Sequence, residues 1–324
     1  MKRVERLQKL MKDLDCFLVT IPEDVYYYSG YMPLEGETAL LVVLQRGARL
    51  FVAENGFESK KASVKMTIME KPDEFYDFIK NYKDVGFDED HLLSRSYLKL
   101  RKHGLRLKPC SQVIKKPRVI KDQAEIEQIR KAVGVTKKAF ELKLPSGSET
   151  EAAAEIDCFF RRQGAENAFE TIVASGPNSS NVHHRPGNRR IGKGDLVIVD
   201  TGARLNGYCS DMTRTVCSSP GKKEREVMES VKNIQEQLFD FIRPGIKMSD
   251  VQKEYERLLG KTGNKVFHMF GHGVGLEVHE MPLKDDTLEE NMVITVEPGI
   301  YIKNLGGCRI EDMIIIKKGK VKLI

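Results

Sequence analysis

Short apolar runs alternate with helix-like segments through the first third of the chain. The runs "CFLVT", "ALLVVL" and "RLFVA" have the length and apolar density of strands. The segments "VERLQKLM", "DEFYDFIKNYK" and "HLLSRSYLKLRK" place apolar residues at helical spacing. This alternation predicts a small α/β domain over residues 1–117.

A junction follows this first domain. Pro117 interrupts the pattern, and Asp122 with Glu125 forms the D-x-x-E signature of a helix start. We therefore predict a second domain over residues 118–324. Its predicted helices cover roughly these ranges: 122–142, 149–163, 222–242 and 249–259.

Strand-like runs separate the helices of the second domain. They are "ETIVAS", "DLVIVDTGA", "GYCSDMTRTVC", "NMVITVEPGIYI" and "RIEDMIIIKKG". The dipeptides Asn206-Gly207 and Gly306-Gly307 are typical of turns between paired strands. The pattern predicts an α+β domain in which helices alternate with strands, some of them paired through tight turns.

Composition narrows the class of protein. The 324 residues are 40% hydrophobic and 31% charged, as in globular proteins, and the net charge of +6 is spread among many acids. This mixed-charge surface argues against a nucleic-acid partner. The first residues, "MKRVERLQKLMKDLD", lack the apolar core of a secretory signal, and no apolar run reaches the ~18 residues that span a membrane. With six cysteines and no C-x-x-C pair, we expect a cytoplasmic protein without disulfides or membrane contact.

Four carboxylates interrupt segments that otherwise have the pattern of core strands. They are Asp200, Asp211, Glu297 and Glu311. Any one of them alone is explained by a position at a loop edge or by an arginine partner. Four in one domain are harder to explain, because Arg214 and Arg309 cannot neutralise them all. Two divalent cations would balance these charges and activate a water molecule.

The stretch "FGHGVGLEVHE" supplies a nitrogen ligand for such a metal pair. His272 and His279 stand seven residues apart, and the glycines between them disfavour a helix. Both rings can serve one site only if the backbone bends. We take His272 as the metal ligand and expect the surrounding glycines to let the backbone approach the metals. Four carboxylates and one imidazole suit Mn, Fe, Co or Zn.

Four segments together resemble one family. "DTGARLNGYCSDMTRT", "GHGVGLEVHE", "VEPGIY" and "RIED" resemble, in order and spacing, the pita-bread metallopeptidases: Xaa-Pro dipeptidases (prolidases), aminopeptidase P and methionine aminopeptidases. The first domain looks like the N-terminal domain of the prolidase, aminopeptidase P and creatinase branch. The resemblance implies a pita-bread domain with a curved, mostly antiparallel sheet flanked by helices. It covers residues 115–324 most strongly.

The resemblance also implies a role for each site residue. The metal ligands would be Asp200, Asp211, His272, Glu297 and Glu311, with Glu297 also moving a proton. His279 and His183 would contact the substrate and act in catalysis. His184, His268 and Arg309 would bind substrate or support the ligands, with Arg309 orienting Glu311. For His184 and His268 a structural role is the alternative.

The activity implied is hydrolysis of the Xaa-Pro bond in dipeptides or other short proline-containing peptides. A hydroxide bridging two divalent ions (Mn, Co, Zn or Fe) would attack the carbonyl, and the protein would form a homodimer. The sequence departs from the family pattern in one loop. Some dipeptidases of the family have an arginine there that holds the substrate carboxylate, whereas the loop "HEMPLKDDTLEENM" has none and carries Leu283 and Lys284 instead. Alternatives are a creatinase-like C–N hydrolase, which lacks the full carboxylate set, and a non-catalytic binding protein on the same fold.

Overall fold

The computed structural model describes residues 3–53, 61–142 and 147–324. Within it the chain forms two compact units, Met1–Arg118 and Val119–Ile324. None of the helices in these described ranges is both long enough and apolar enough to cross a bilayer.

The first unit is a mixed sheet with short helices. Its strands are β1 (Cys16–Val19), β2 (Ala39–Leu44), β3 (Ala48–Ala53), β4 (Lys65–Met69), β5 (Asp84–Phe87) and β6 (Arg106–Pro109), in the order β4-β3-β2-β1-β5-β6. Its helices are α1 (Arg3–Gln8), α2 (Pro22–Ser29), α3 (Asp73–Ile79), α4 (Ser94–Lys102) and α5 (Ser111–Lys115). The strand β1 pairs antiparallel with β2 and parallel with β5, so the predicted α/β class is confirmed.

The helices of the second unit begin close to their predicted positions. They are α6 (Gln123–Ala139), α7 (Glu149–Arg162), α8 (Lys222–Phe241) and α9 (Met248–Gly260). At the start of α6 the Asp122 carboxylate accepts from the backbone N–H of Glu125, and the Glu125 carboxylate accepts from the N–H of Asp122. This reciprocal cap is the arrangement that the D-x-x-E pattern predicts.

The strands of the second unit pair antiparallel throughout the described residues. They are β7 (Glu166–Asn167), β8 (Ile172–Ser175), β9 (Val197–Thr201), β10 (Ala203–Leu205), β11 (Tyr208–Cys209), β12 (Met212–Val216), β13 (Val293–Val296), β14 (Gly299–Ile302), β15 (Gly306–Arg309), β16 (Asp312–Lys317) and β17 (Lys320–Leu323). Their ladders run β11-β10-β7, β12-β9-β8, β13-β16-β17 and β14-β15. Helices α8 and α9 pack on β13 and β16 through a core that includes Val231, Tyr255 and Ile314.

One turn prediction is confirmed and the other needs correction. Asn206 and Gly207, both at positive φ, turn the chain between β10 and β11. Gly306 and Gly307 instead lie within β15, after the turn, and pair with β14. A Cβ on Gly307 would lie 2.2 Å from the carbonyl oxygen of Ser179, so close packing requires glycine at this position.

Strands predicted as continuous are broken beside the acids. Asp211 lies between β11 and β12, Glu297 between β13 and β14, and Glu311 between β15 and β16. A continuous strand would send alternate side chains to opposite faces. The breaks free these carboxylates from that alternation.

Candidate metal centre

A single cavity in the second unit brings together the whole set of predicted site residues. Its volume is about 510 Å³. The predicted residues that line it are His183, His184, Asp200, Asp211, His268, His272, His279, Glu297, Arg309 and Glu311. Positions up to 128 residues apart therefore meet at one site, as the pattern of acids and histidines predicts.

Two antiparallel strands present the first acids to this cavity. Asp200 on β9 is paired with Thr213 on β12. The N–H of Glu311 donates to the carbonyl of Thr213 at 3.0 Å, which attaches the β15–β16 break to β12. The hydroxyl of Thr213 donates to a Glu311 carboxylate oxygen at 2.8 Å. Asp200 and Glu311 are thereby held on neighbouring parts of the backbone.

The histidine stretch bends so that its two rings meet. The N–H of Thr295 on β13 donates to the carbonyl of His272 at 2.8 Å, and the N–H of Glu280 donates to the carbonyl of Gly273 at 3.0 Å. The chain therefore runs beside β13 and then returns. As a result, the ring centroids of His272 and His279 lie 4.1 Å apart.

The glycines of this stretch allow close packing between segments of backbone. A Cβ on Gly271 would lie 2.1 Å from the carbonyl oxygen of Thr295, and one on Gly273 would lie 2.1 Å from that of Met281. Their hydrogen atoms face neighbouring backbone, so the close approach that requires glycine is between chain segments.

A buried ion pair supports the returning segment. The Lys121 ammonium lies 2.7 Å from the Glu280 carboxylate, with side-chain exposures of 1% and 5%. A Cβ on Gly275 would lie 2.2 Å from the same carboxylate, so the glycine leaves room for it. Glu280 directly follows His279, and its anchoring limits where that imidazole can move.

The donor atoms fit a divalent cation. Ligand atoms of Asp211, His272 and Glu311 lie within 4.8 Å of one another. The Nε2 atom of His272 is 3.5 Å from carboxylate oxygens of both Asp211 and Glu297. Among the described residues, Asp200 Oδ1 and Glu311 Oε1 are buried without a hydrogen-bond partner. Buried oxygens that lack donors are what a cation would satisfy.

Electrostatics favour the same conclusion. Burial, followed by the charges of Glu311 and Asp200, raises the pKa of Asp211 well above its ordinary value. Burial and nearby carboxylates likewise raise the pKa of Glu297 and of Glu311. Clustered carboxylates resist ionisation unless positive charge lies among them.

His272 is held in its neutral form. Burial, and then the neighbouring His279, lower the pKa of His272 to about 4. A neutral imidazole keeps a lone pair for a metal. The donor set therefore combines one neutral nitrogen with several acidic oxygens.

Arg309 contacts a different acid from the one predicted. Its Nη2 donates to Asp200 Oδ2 at 2.6 Å, whereas its Nε donates to the hydroxyl of Thr213 at 3.2 Å. Arg309 reaches Glu311 only through Thr213. The prediction placed Arg309 and Glu311 on one continuous strand, but β15 ends at Arg309 and pairs with β14 rather than β13. This break turns the guanidinium toward β9.

Tyr301 is a site residue that the sequence reasoning missed. Its hydroxyl accepts from Arg309 Nη1 at 2.7 Å and lies 2.9 Å from His268 Nε2. His268 Nδ1 lies 2.8 Å from the carbonyl of Met269. Burial and the charge of Arg309 lower the pKa of His268 to about 4. A neutral His268 that donates from Nδ1 and accepts from Tyr301 satisfies every one of these contacts.

His184 bonds to a buried carboxylate outside the predicted ligand set. Its Nε2 lies 2.8 Å from Glu149, the first residue of α7, whose side chain is fully buried. The same carboxylate accepts from the N–H and hydroxyl of Ser175, each at 2.7 Å, and from the N–H of Gly187 at 3.1 Å. Burial opposes ionisation, but these donors hold the pKa of Glu149 below its ordinary value. Glu149 therefore anchors the loop that carries His183.

Comparisons with known proteins agree with this geometry. Residues 127–318 match the model of metallopeptidase family M24, and residues 3–120 match the creatinase/prolidase N-terminal domain. The Xaa-Pro dipeptidase of Pyrococcus furiosus is 37% identical over 340 residues, which cover 98% of this chain and 97% of that protein.

Solved structures extend the similarity. The prolidase of Pyrococcus horikoshii has a TM-score of 0.92 at 33% identity, covering 100% of this chain and 97% of the other. An X-Pro aminopeptidase of Thermotoga maritima has a TM-score of 0.88 at 27% identity, covering 98% and 97%. The predicted arrangement of two domains, an N-terminal creatinase-like one and a pita-bread one, is confirmed.

The crowding of carboxylates predicts opposite effects of one substitution in the absence and presence of metal. Folding raises the pKa of Glu311, and a carboxyl with a raised pKa destabilises the folded chain at neutral pH. Glu311→Gln removes that cost, so the melting temperature of the metal-free chain should rise by about 2–4 °C, equivalent to roughly 1 kcal/mol. Saturating Mn²⁺ should raise the melting temperature of the wild type by about 5 °C or more, and that of Glu311→Gln by much less. Differential scanning calorimetry with and without Mn²⁺ measures both effects.

Asp312→Asn is the matched control. Asp312 pairs with Arg214 at 2.5 Å and does not line the cavity. Its substitution should lower the melting temperature of the metal-free chain and keep the metal-induced rise. A destabilised Glu311→Gln chain that still gains the full rise would contradict the ligand assignment.

Proposed function

The chain belongs to metallopeptidase family M24, and on that basis we propose that it is a metal-dependent exopeptidase that hydrolyses the Xaa-Pro bond of dipeptides or other short peptides. The convergence of four carboxylates and one neutral imidazole on a single cavity carries this proposal. Retention of the full acid set disfavours both a creatinase-like C–N hydrolase and a non-catalytic binding protein.

Five residues would hold two divalent cations. Asp200 would bind one ion, and His272 and Glu297 would bind the other. Asp211 would bridge or bind the pair, and Glu311 would bridge it. Mn and Co are the first candidates, with Zn and Fe as alternatives, because the set is mostly oxygen with one nitrogen. When bound, such ions polarise the scissile carbonyl and lower the pKa of a water molecule toward neutrality.

The chain's own groups would then move protons and hold the substrate. Glu297 would accept the proton of the attacking water and deliver it to the proline nitrogen as the C–N bond breaks. His279, exposed at the cavity, would donate a hydrogen bond to the developing oxyanion. His183 would contact the substrate from the opposite loop.

Arg309 would position neighbouring side chains and would take no part in the reaction itself. Its hydrogen bonds to Asp200, Thr213 and Tyr301 leave little freedom for the guanidinium. It thereby orients a metal ligand on one side and, through Tyr301, His268 on the other. A fixed ligand geometry of this kind supports metal affinity and rate.

The cellular setting is part of the proposal. All six cysteines are free thiols, which suits a reducing cytoplasm. A homodimer is the assembly that the family resemblance suggests, and short proline-containing peptides are the proposed substrates.

The proposed activity is tested with two substrates, an Xaa-Pro dipeptide and an Xaa-Pro-Yaa tripeptide. Enzyme stripped by a chelator and reloaded with Mn²⁺ or Co²⁺ should cleave the dipeptide Ala-Pro, and the stripped enzyme should not. Tripeptide cleavage without dipeptide cleavage would assign an aminopeptidase instead. Absence of metal-dependent cleavage of either peptide would contradict the enzyme assignment.

Two neighbouring histidines allow a matched test of roles. His272→Ala should lose both bound metal and activity, because it removes a ligand. His279→Ala should keep its metal content and lose about 10²–10³ in kcat, because it removes a donor to the oxyanion. Elemental analysis and steady-state kinetics separate the two outcomes; equal metal loss in both variants would refute the division of roles.

A further inference from the structure

The mouth of the cavity carries a charged pair that has no part in the proposed chemistry. Arg185 and Glu170 both line the cavity, with side-chain exposures of 86% and 66%. Arg185 Nε lies 3.4 Å from a Glu170 carboxylate oxygen. A single long contact between exposed groups is weak, because water screens it.

The terminal amino groups of Arg185 are uncommitted. Across residues 3–53, 61–142 and 147–324, Glu170 is the recorded partner of this side chain, and it contacts Nε alone. Arg309, the other arginine among the described residues that line the cavity, is fully engaged inside it. Lys284 and Leu283, in the loop after His279, are not among those lining residues.

The backbone that carries Arg185 is fixed on both sides. His184 bonds to Glu149 at 2.8 Å, and the Thr150 hydroxyl donates to the carbonyl of Pro186 at 3.2 Å. The N–H of Gly187 donates to Glu149 as well. A rigid loop therefore presents a free guanidinium at the entrance, two residues after the cavity-lining His183.

Such a guanidinium suits one feature of a short peptide. A dipeptide ends in a carboxylate one residue beyond the scissile bond, and a tripeptide moves that carboxylate about 3.8 Å further. The planar guanidinium binds a carboxylate through two parallel hydrogen bonds. The acids inside the cavity would repel the substrate carboxylate. A guanidinium at the entrance would therefore determine where that carboxylate binds.

We propose that Arg185 binds the C-terminal carboxylate of the substrate and makes the enzyme prefer free Xaa-Pro dipeptides. This inference rests on the proposed Xaa-Pro hydrolysis. Glu170 competes for the guanidinium when no substrate is present.

Steady-state kinetics of Mn²⁺-loaded enzyme on Ala-Pro and Ala-Pro amide test the inference. The amide keeps the scissile bond and lacks the carboxylate. The wild type should show a KM for Ala-Pro about tenfold below that for the amide, the size expected of one charge-assisted contact. Arg185→Met should raise the KM for Ala-Pro about tenfold, with a change in kcat below twofold, and should abolish the discrimination.

Companion variants separate specific binding from general charge. Arg185→Lys should lie between wild type and Arg185→Met, because an ammonium binds without the planar fork. Glu170→Gln should lower the KM for Ala-Pro, since it removes the competitor. Arg162→Met, at an exposed position at the end of α7, is the control and should change neither KM.

The possible failures are distinct. If the wild type cleaves Ala-Pro and Arg185→Met keeps the same KM ratio between acid and amide, the role of Arg185 is refuted and the peptidase proposal stands. If the loaded wild type cleaves neither substrate, the proposed function falls, and this inference falls with it.

Discussion

Mutual repulsion among four carboxylates around one cavity is the constraint to which the second unit is adapted. Burial raises the pKa of Asp211, Glu297 and Glu311, and the charges of neighbouring carboxylates raise these pKa values further. Arg309 compensates Asp200 directly but reaches Glu311 only through Thr213. A bound cation would balance the remaining negative charge and would satisfy the unpartnered oxygens of Asp200 and Glu311.

The surrounding structure keeps this costly cluster in place. Breaks in the strands free Asp211, Glu297 and Glu311 from the alternation of a regular sheet. Two buried acids outside the cluster hold neighbouring loops. Glu280, paired with Lys121, fixes the segment of His279, and Glu149 fixes the loop of His183. The cavity is thus assembled from rigid neighbours on several sides, which suits chemistry that depends on exact ligand positions.

The sequence allowed more of the site to be predicted than of its supports. The D-x-x-E pattern located the start of α6, because a helix cap depends on a few adjacent residues. The acids and histidines converged as expected, because short motifs identify the residue types that a metal site needs. The partner of Arg309 was mispredicted, since the strand break at Ile310 and Glu311 leaves Arg309 in β15, which pairs with β14 and not with β13. Glu149, Tyr301 and Lys121 were missed because tertiary folding selects their partners, which periodicity does not encode. Their partners His184, His268 and Glu280 lie 35, 33 and 159 residues away, respectively.

Metal stoichiometry tests the central claim most directly. Chelator-treated protein is equilibrated with Mn²⁺, weakly held ions are removed by dialysis, and metal and protein are measured by elemental analysis. The account predicts two ions for each chain, shared by the five ligands around the cavity. Fewer than one retained ion for each chain would contradict it, because the buried carboxylates would then have to be stabilised without a cation.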